Sequence, residues 1–140
     1  MSLVQLIYVS DLVAQDESQI AAILSSSVRH NLENGITGML LYSQGNFLQV
    51  LEGERDKVEE TYARICQDKR HHNTVMLTEE EVSERQFADW TMGYRQLSPE
   101  IAAQLTEYAP FFQFGFDAAA IRAKPGVALA MLELFSQGMF

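Results

Sequence analysis

Apolar and polar residues alternate along several short segments of the chain, as they do in half-buried β-strands. Val4, Leu6 and Tyr8 share one face of the first segment. Gly45 and its neighbours make a short connection between the second segment and the third, which predicts a β-hairpin. The five predicted strands span residues 4–9, 36–43, 47–53, 74–82 and 91–97.

Two other segments have apolar residues at helical spacing. Asp16 and Gln19 resemble a capping box at the start of the first helix, and Gly35 is placed to end it. Asp56 and Glu59 resemble a second capping box at the start of the second helix. The predicted order of elements is therefore β-α-β-β-α-β-β.

This order predicts an α+β fold, a ferredoxin-like sandwich with two helices on one face of a mixed five-stranded sheet. Ser98 and Pro99 predict the start of a third helix, and a last helix is expected at 126–137. We expect residues 1–97 to form one domain. Residues 98–140 are expected to form a C-terminal helical extension that packs on the open sheet face or mediates assembly.

Composition and charge exclude several classes of function. Ten Lys and Arg against nineteen Asp and Glu give a net charge of −9, which disfavours nucleic-acid and membrane partners. The N-terminal segment does not resemble a signal peptide, and no segment approaches the ~18 apolar residues of a spanning helix. We therefore expect a soluble, cytoplasmic protein. The single cysteine, Cys66, excludes an internal disulfide, and we interpret it as helix core.

Polar side chains occupy positions where the predicted core should be apolar. Ser27 and Asn31 continue the apolar line of the first helix, and Gln49 lies in the middle of the apolar strand FLQVLEG. If the faces match, Tyr8, Asn31 and Gln49 converge beneath one helix, and each then needs a hydrogen-bond partner. They either satisfy one another and the backbone, or they bind a planar polar ligand in a pocket.

Other candidate residues are weaker indications of a functional site. His71 and His72 are adjacent, so their side chains diverge and we expect no metal site. The acidic run 79–81 is expected to lie on a solvated edge of the sheet. An alternative interpretation of Trp90 is that it is a core residue of the last strand. No phosphate-binding glycine loop and no nucleophile-elbow motif is present in the sequence, and we do not expect an enzyme.

Four motifs in the chain resemble those of a known family. They are N-x-x-x-G-I-T-G-x-L-L-Y, F-x-Q-x-L-E-G, D-x-R-H and W-x-M, in that order, within SSVRHNLENGITGMLLYSQGNFLQVLEGERDKVEETYARICQDKRHH and RQFADWTMGYRQ. Together with Tyr8 on the first strand they resemble the BLUF family, the blue-light sensors that use FAD. The resemblance covers residues 3 to 97. The tail, with EYAPFFQ, further resembles short stand-alone members of PixD type.

The resemblance implies a blue-light photoreceptor that binds FAD non-covalently. It places Gln49 between Tyr8 and the flavin edge at N5 and O4. Light would drive electron and proton transfer from the tyrosine, and recombination would leave the glutamine rotated or tautomerised, without a covalent adduct. Trp90 and Met92 match the W-x-M pair, which is expected to shift when the glutamine rearranges.

The resemblance also implies a set of cofactor-binding residues. Asn31 is expected to hydrogen-bond the carbonyl edge of the isoalloxazine, with Ser27 near it and His30 beside the ring. The charged residues of the set are expected at the pyrimidine side or its rim. The full set is Tyr8, Ser27, His30, Asn31, Gln49, Arg64, Asp68 and Arg70.

No catalytic output domain fits in residues 98–140, so the output is expected to be a protein partner or a change of assembly. The resemblance implies a response-regulator-like protein or a cyclic-di-GMP phosphodiesterase as the partner, and a ring-like homo-oligomer. Three alternatives stay open: a ferredoxin-like small-ligand binding module without photochemistry, an RNA-binding domain of similar strand order, and a flavin oxidoreductase. FMN or riboflavin in place of FAD also stays open.

Overall fold

The computed structural model describes residues 2–12, 17–43, 45–88, 92–96 and 126–136. The strands in these ranges are β1 (Leu3–Leu12), β2 (Thr37–Ser43), β3 (Asn46–Glu54), β4 (His71–Glu81) and β5 (Gly93–Gln96). The helices are α1 (Ile20–Asn34), preceded by a short 3-10 helix (Glu17–Gln19), α2 (Arg55–Gln67) and α3 (Gly126–Ser136). Strand bounds in the described ranges follow the predictions to within three residues.

The five strands form one mixed sheet in the order β4-β1-β3-β2-β5. β1 runs antiparallel to both of its neighbours, β3 and β4, and β2 is antiparallel to β3. β5 joins the edge parallel to β2. This arrangement confirms the predicted α+β fold of ferredoxin-like type.

The two predicted helices lie on one face of the sheet. Leu6 and Leu51 pack against Val58 of α2, and Leu40 packs in a cluster with Ile23 of α1. Because side chains alternate along a strand, the same face also receives the even residues of β1 and the odd residues of β3. The cavity described below lies on this face.

The other face of the sheet is packed against α3. Ala128, Met131 and Leu132 are fully buried in one cluster with residues of β1, β2 and β3. Phe87, which lies between β4 and β5, is buried in the same cluster. The predicted helix that starts at Ser98 lies outside the described residues. The division into a domain and an extension stays a prediction.

The helix starts differ from those predicted. The N-cap of α1 is Gln19, and Asp16 lies outside the described residues. The N-cap of α2 is Glu54, in an extended conformation, so the predicted capping box of Asp56 and Glu59 is wrong. Asp56 instead lies inside the first turn, where a carboxylate is stabilised by the positive end of the helix dipole.

The end of α1 follows the prediction. Gly35 has a φ of 66°, in the left-handed region that glycine adopts without strain, and its N–H donates to the carbonyl of Asn31. Among the helices that the structure describes, none combines the length and the apolar character that a membrane span requires.

Two predictions about burial need correction. Cys66 is exposed, because Ile65 takes the position that faces the core and the next residue is rotated towards solvent. In the acidic run, Glu80 and Glu81 are exposed on the edge strand β4. Glu79, in contrast, is half-buried, and burial together with a neighbouring carboxyl raises its pKa.

Candidate functional site

A cleft opens between α1 and α2 above the helix-covered face of the sheet. It encloses about 470 Å³, a volume that includes space open to solvent. All eight predicted cofactor-binding residues line it: Tyr8, Ser27, His30, Asn31, Gln49, Arg64, Asp68 and Arg70. The structure therefore brings together residues from two strands, two helices and the turn before β4.

At the floor of the cleft, the hydroxyl of Tyr8 donates a hydrogen bond to Oε1 of Gln49. The two residues are direct partners in the β1–β3 ladder, and both are almost fully buried. The other end of the amide, Nε2 of Gln49, donates to the sulfur of Met92 at 3.2 Å. Gln49 thus bridges the tyrosine to the residue just before β5.

Tyr8 is held in its neutral form. Burial raises the pKa of its hydroxyl well above the usual value, and possible negative charge on Tyr62, Cys66 and Asp68 acts in the same direction. The ring of Tyr62 meets that of Tyr8 edge-on, with 5.4 Å between the centroids. Burial and a hydrogen bond with the Cys66 thiol raise the pKa of Tyr62 to about 12. Both tyrosines are therefore hydroxyl donors near neutral pH.

Helix α1 supplies the polar wall of the cleft. Ser27 and Asn31 are four residues apart, so they lie on the same side of the helix, and Asn31 is buried. His30 faces α2, where its Nε2 lies 2.8 Å from Oγ1 of Thr61. Burial, and then the charge of Arg64, lower the pKa of His30, which favours the neutral imidazole.

An ion pair fixes one rim of the cleft. Arg70 donates to Asp68 through Nη2 at 2.6 Å, Nε at 3.0 Å and its backbone N–H at 2.9 Å. These hydrogen bonds lower the pKa of the Asp68 carboxyl, and the same pair raises the pKa of Arg70. Arg70 also reaches Oγ of Ser26 at 3.2 Å, which ties the rim to α1. Arg64 extends from α2 at the same opening and is exposed.

The sequence did not single out His71 as a cavity residue. Its imidazole lines the cleft, lies 2.9 Å from Oγ of Ser10 through Nδ1, and packs on the ring of Phe47 at 5.1 Å. Burial lowers its pKa to about 4, so it is neutral at pH 7. The signal that could have found it is the D-x-R-H motif, which places this histidine next to the rim residues.

The structure describes one of the two residues of the W-x-M motif. Met92 is half-buried, packs with apolar residues below both helices, and contacts Gln49. Trp90 lies outside the described residues.

The lining suits a planar ring with a polar edge. Ile23, Leu51 and Ile65 offer apolar surface for the faces of a ring. The carboxamides of Asn31 and Gln49 can each donate and accept, which suits a ring edge that carries both carbonyl oxygens and ring nitrogens. An isoalloxazine has these features, so the residues present fit a flavin.

The fold and the cleft together define an α+β protein that holds a small planar ligand between two helices and a sheet. Residues 3–93 match the profile of the BLUF family, described as "Sensors of blue-light using FAD". The chain therefore belongs to the BLUF family. It is a blue-light sensor domain whose cofactor is FAD.

Similar proteins carry the same domain. The chain is 38% identical over 87 residues to the "Blue light- and temperature-regulated antirepressor BluF" of Escherichia coli K12, a match that covers 61% of this chain and 21% of that protein. The dark-state structure of BlrB, "a BLUF protein", has a TM-score of 0.73 at 28% identity and covers 93% of this chain and 96% of that one.

A second similar structure contains a longer chain. Klebsiella pneumoniae BlrP1, solved "with FMN and cyclic diGMP", has a TM-score of 0.64 at 28% identity, and the match covers 89% of this chain and 35% of that one. The chain thus spans about a fifth of the antirepressor and about a third of BlrP1. The targets and substrates of the antirepressor and of BlrP1 are properties of their full-length chains.

Proposed function

We propose that FAD binds non-covalently in the cleft between α1 and α2, and that blue light rearranges the hydrogen bonds of Tyr8 and Gln49. The observation that carries this proposal is the continuous contact from the Tyr8 hydroxyl through the Gln49 amide to the Met92 sulfur. When bound, FAD supplies the absorption of blue light and an excited ring that can accept an electron.

Different residues of the cleft contact different parts of the cofactor in this proposal. Asn31 and Gln49 offer hydrogen bonds to the edge of the ring, with Ser27 beside them on α1. Arg70, fixed by Asp68, presents a guanidinium at the rim, where it suits an electron-rich edge. These assignments are supported by the shared cleft and by the motifs that the sequence has in common with the family.

The amide of Gln49 has two ends, which gives the site two arrangements. Its oxygen accepts from Tyr8 and its nitrogen donates to Met92. If the amide turned over, its nitrogen would donate to the Tyr8 oxygen, and its oxygen would face a thioether that has no proton to donate. The contact with Met92 therefore differs between the two arrangements, and this difference links the switch to β5.

The signal then passes to a protein partner or to a change in assembly, and the chain itself acts as a sensor without catalysis. Candidate partners are a response-regulator-like protein and a cyclic-di-GMP phosphodiesterase, and a homo-oligomer is the expected assembly. Two similar proteins support a signalling role of this kind. One is named as an antirepressor, and the structure of the other contains cyclic diGMP.

The test is an absorption spectrum of the purified protein in the dark and directly after blue light. We expect flavin bands with a small redshift that reverses in the dark, and chromatography of the released flavin should identify FAD. A colourless protein that takes up no added flavin would contradict the proposal and favour a binding module without photochemistry. Bleaching of the bands to an adduct would contradict the proposed switch.

A further inference from the structure

Arg85, in the segment that follows β4, joins the end of α1 to β3. Its Nη1 donates to Oγ1 of Thr37 at 2.9 Å and to the backbone oxygen of Glu52 at 2.8 Å. Its Nη2 donates to the backbone oxygen of Gly35 at 2.7 Å. A planar guanidinium can make these bonds together because its N–H donors have a fixed geometry. One side chain therefore holds the residue after α1 and the first residue of β2 against β3.

The backbone beside Arg85 is itself anchored on β3. The side chain of Glu52 is fully buried, and a buried carboxylate is costly unless its oxygens are satisfied. Its Oε2 accepts from the backbone N–H of Gln86 at 3.0 Å, and its Oε1 accepts from the backbone N–H of Phe87 at 2.7 Å. Because this backbone is fixed, the guanidinium of Arg85 has a defined position between α1 and β3.

The two elements that Arg85 joins carry the two carboxamides of the cleft. Gly35 follows the last turn of α1, and its N–H donates to the backbone carbonyl of Asn31 in that turn. Glu52 follows Gln49 on the same strand, β3. The separation of the Asn31 and Gln49 side chains therefore depends on how the end of α1 is held on β3.

Gly53 brings the same two elements close together. A Cβ at this position would lie 3.2 Å from the backbone oxygen of Gly35 and 3.4 Å from Cγ1 of Ile36. The first distance is tighter than ordinary van der Waals contact, and the oxygen is the one that accepts from Arg85. Glycine thus permits a close approach of β3 to the end of α1. This close approach and the bonds of Arg85 are two independent features that fix one spacing.

We propose that Arg85 is a positioning residue for FAD binding, an inference that rests on the proposed function. It fixes the separation of the Asn31 and Gln49 carboxamides, so that both reach the same edge of the flavin ring. Hydrogen bonds depend on distance and angle, and binding groups must be held within about 0.5 Å of their productive positions. A shift of α1 away from β3 therefore weakens one of the two contacts with the ring.

The variant Arg85→Lys tests this role without a change in charge. A lysine has one nitrogen at its end, which cannot reproduce the separate Nη1 and Nη2 contacts that join Glu52 to Gly35. Arg55→Lys is the matched control. It is the same substitution at a residue whose guanidinium bonds the exposed Glu81 at 3.0 Å, away from the junction of α1 and β3.

The first measurement is the FAD affinity of the full-length apoprotein in a double-mutant cycle. Arg85→Lys should lower the affinity by about three- to tenfold, and Arg55→Lys should leave it unchanged. In an Asn31→Ala background, Arg85→Lys should change the affinity by less than about twofold, because the group through which Arg85 acts is already gone.

The second measurement is the infrared spectrum of the flavin carbonyl groups, recorded in the dark on FAD-saturated protein. Arg85→Lys should shift a carbonyl band of the bound flavin to higher frequency, because the hydrogen bond to that oxygen is weaker. A loss of fold stability alone would lower the amount of bound FAD and leave this band in place. The band therefore separates a positioning role from a general structural one.

A second variant approaches the same junction from the other side. Gly53→Ala keeps Arg85 and places a Cβ against the backbone oxygen of Gly35, so it should also lower FAD affinity and shift the carbonyl band. If Arg85→Lys does not fold, this variant decides the question, and wild-type affinity with an unmoved band in Gly53→Ala would overturn the proposal.

The remaining outcomes separate the positioning role from the proposed function. If Arg85→Lys has wild-type affinity, lowers the affinity equally in both backgrounds, or leaves the carbonyl band unmoved, the positioning role is overturned and the photoreceptor function stands. If the wild-type protein takes up no FAD, the proposed function fails instead.

Discussion

The hydroxyl of Tyr8 donates a hydrogen bond to the side-chain oxygen of Gln49, its direct partner across the β1–β3 ladder. Side chains of directly opposed residues lie about 4.5–5.5 Å apart at Cβ, so the pairing of the strands itself brings the two groups into contact. Both residues are almost fully buried, which keeps water from competing for either group. The register of the sheet thus builds the pair on which the proposed switch depends.

Tyr8→Phe should bind FAD and lose the light-induced redshift. The substitution removes one hydroxyl and leaves the ring packing in place, so the cleft keeps its shape. Without the hydroxyl, Gln49 loses the donor to its oxygen, and the site loses the group proposed to give an electron and a proton. Absorption spectra before and after blue light measure the effect. Tyr62→Phe is the matched control, because that ring lies 5.4 Å away and should leave the redshift intact.

Met92→Leu should keep the redshift and slow its reversal in the dark. Leucine has a similar volume but lacks the sulfur that accepts from Nε2 of Gln49, so the dark arrangement loses a weak hydrogen bond. A loss of up to about 1 kcal/mol corresponds to a recovery up to about fivefold slower, if the recovering state already makes this contact. Flash-induced absorption changes measure the rate, and an unchanged rate would show that the contact has no part in the recovery.

Asn31→Ala should weaken FAD binding. Asn31 is buried in the lining of the cleft, and the loss of one or two hydrogen bonds of about 1 kcal/mol each corresponds to an affinity about five- to thirtyfold lower. Titration of the apoprotein with FAD, followed by flavin fluorescence, gives the dissociation constants. Asn34→Ala on the same helix is the control, because Asn34 bonds the backbone of His30 and should change FAD affinity little.

The stability of the protein should fall as the pH falls from about 6.5 to about 4. Burial lowers the pKa of His71 to about 4 in the folded state, while the unfolded chain keeps the usual value of about 6.5. In this window the unfolded state binds a proton that the folded state does not, so protonation favours unfolding. The full difference is on the order of 3 kcal/mol, and it stops growing below about pH 4.

Urea denaturation at several pH values tests the role of His71. His71→Gln keeps a polar group near Ser10 and does not titrate, so its free energy of unfolding should have a smaller dependence on pH across the same window. His72→Gln, the neighbour that is exposed on β4, is the control and should keep the wild-type slope. Equal slopes in all three proteins would remove His71 as the cause.

Much of the fold could be predicted from the sequence, because its main signals are local. Alternating residues around Tyr8 and the Gly45 connection indicate strands, and Gly35 indicates the end of α1. Helix starts were harder to place, because the acidic residues at 56 and 59 have the spacing of a capping box without occupying its positions. An N-cap depends on the conformation of one residue, and composition alone does not fix that conformation.

The polar lining of the cleft could be predicted in part, because Asn31 and Gln49 interrupt apolar faces. His71 was missed although the D-x-R-H motif marks its position, because its burial depends on the packing of Phe47 and on a strand that begins three residues earlier than the pattern indicates. Glu52 looks like a solvent-facing residue at the end of a strand. Its partners come from residues 86 and 87, and contacts between segments so far apart in the chain have no local signal. The cytoplasmic location stays a prediction.

The most direct test of the proposed switch is a light-minus-dark infrared spectrum of FAD-loaded protein whose glutamine side chains carry an isotope label. We predict a shift of a glutamine amide band on illumination in the wild type, because the amide of Gln49 exchanges its hydrogen-bond partners. In Gln49→Leu, which should still bind FAD, that band should be absent from the difference spectrum. A wild-type redshift without any labelled glutamine band, or the same band in Gln49→Leu, would contradict the central claim.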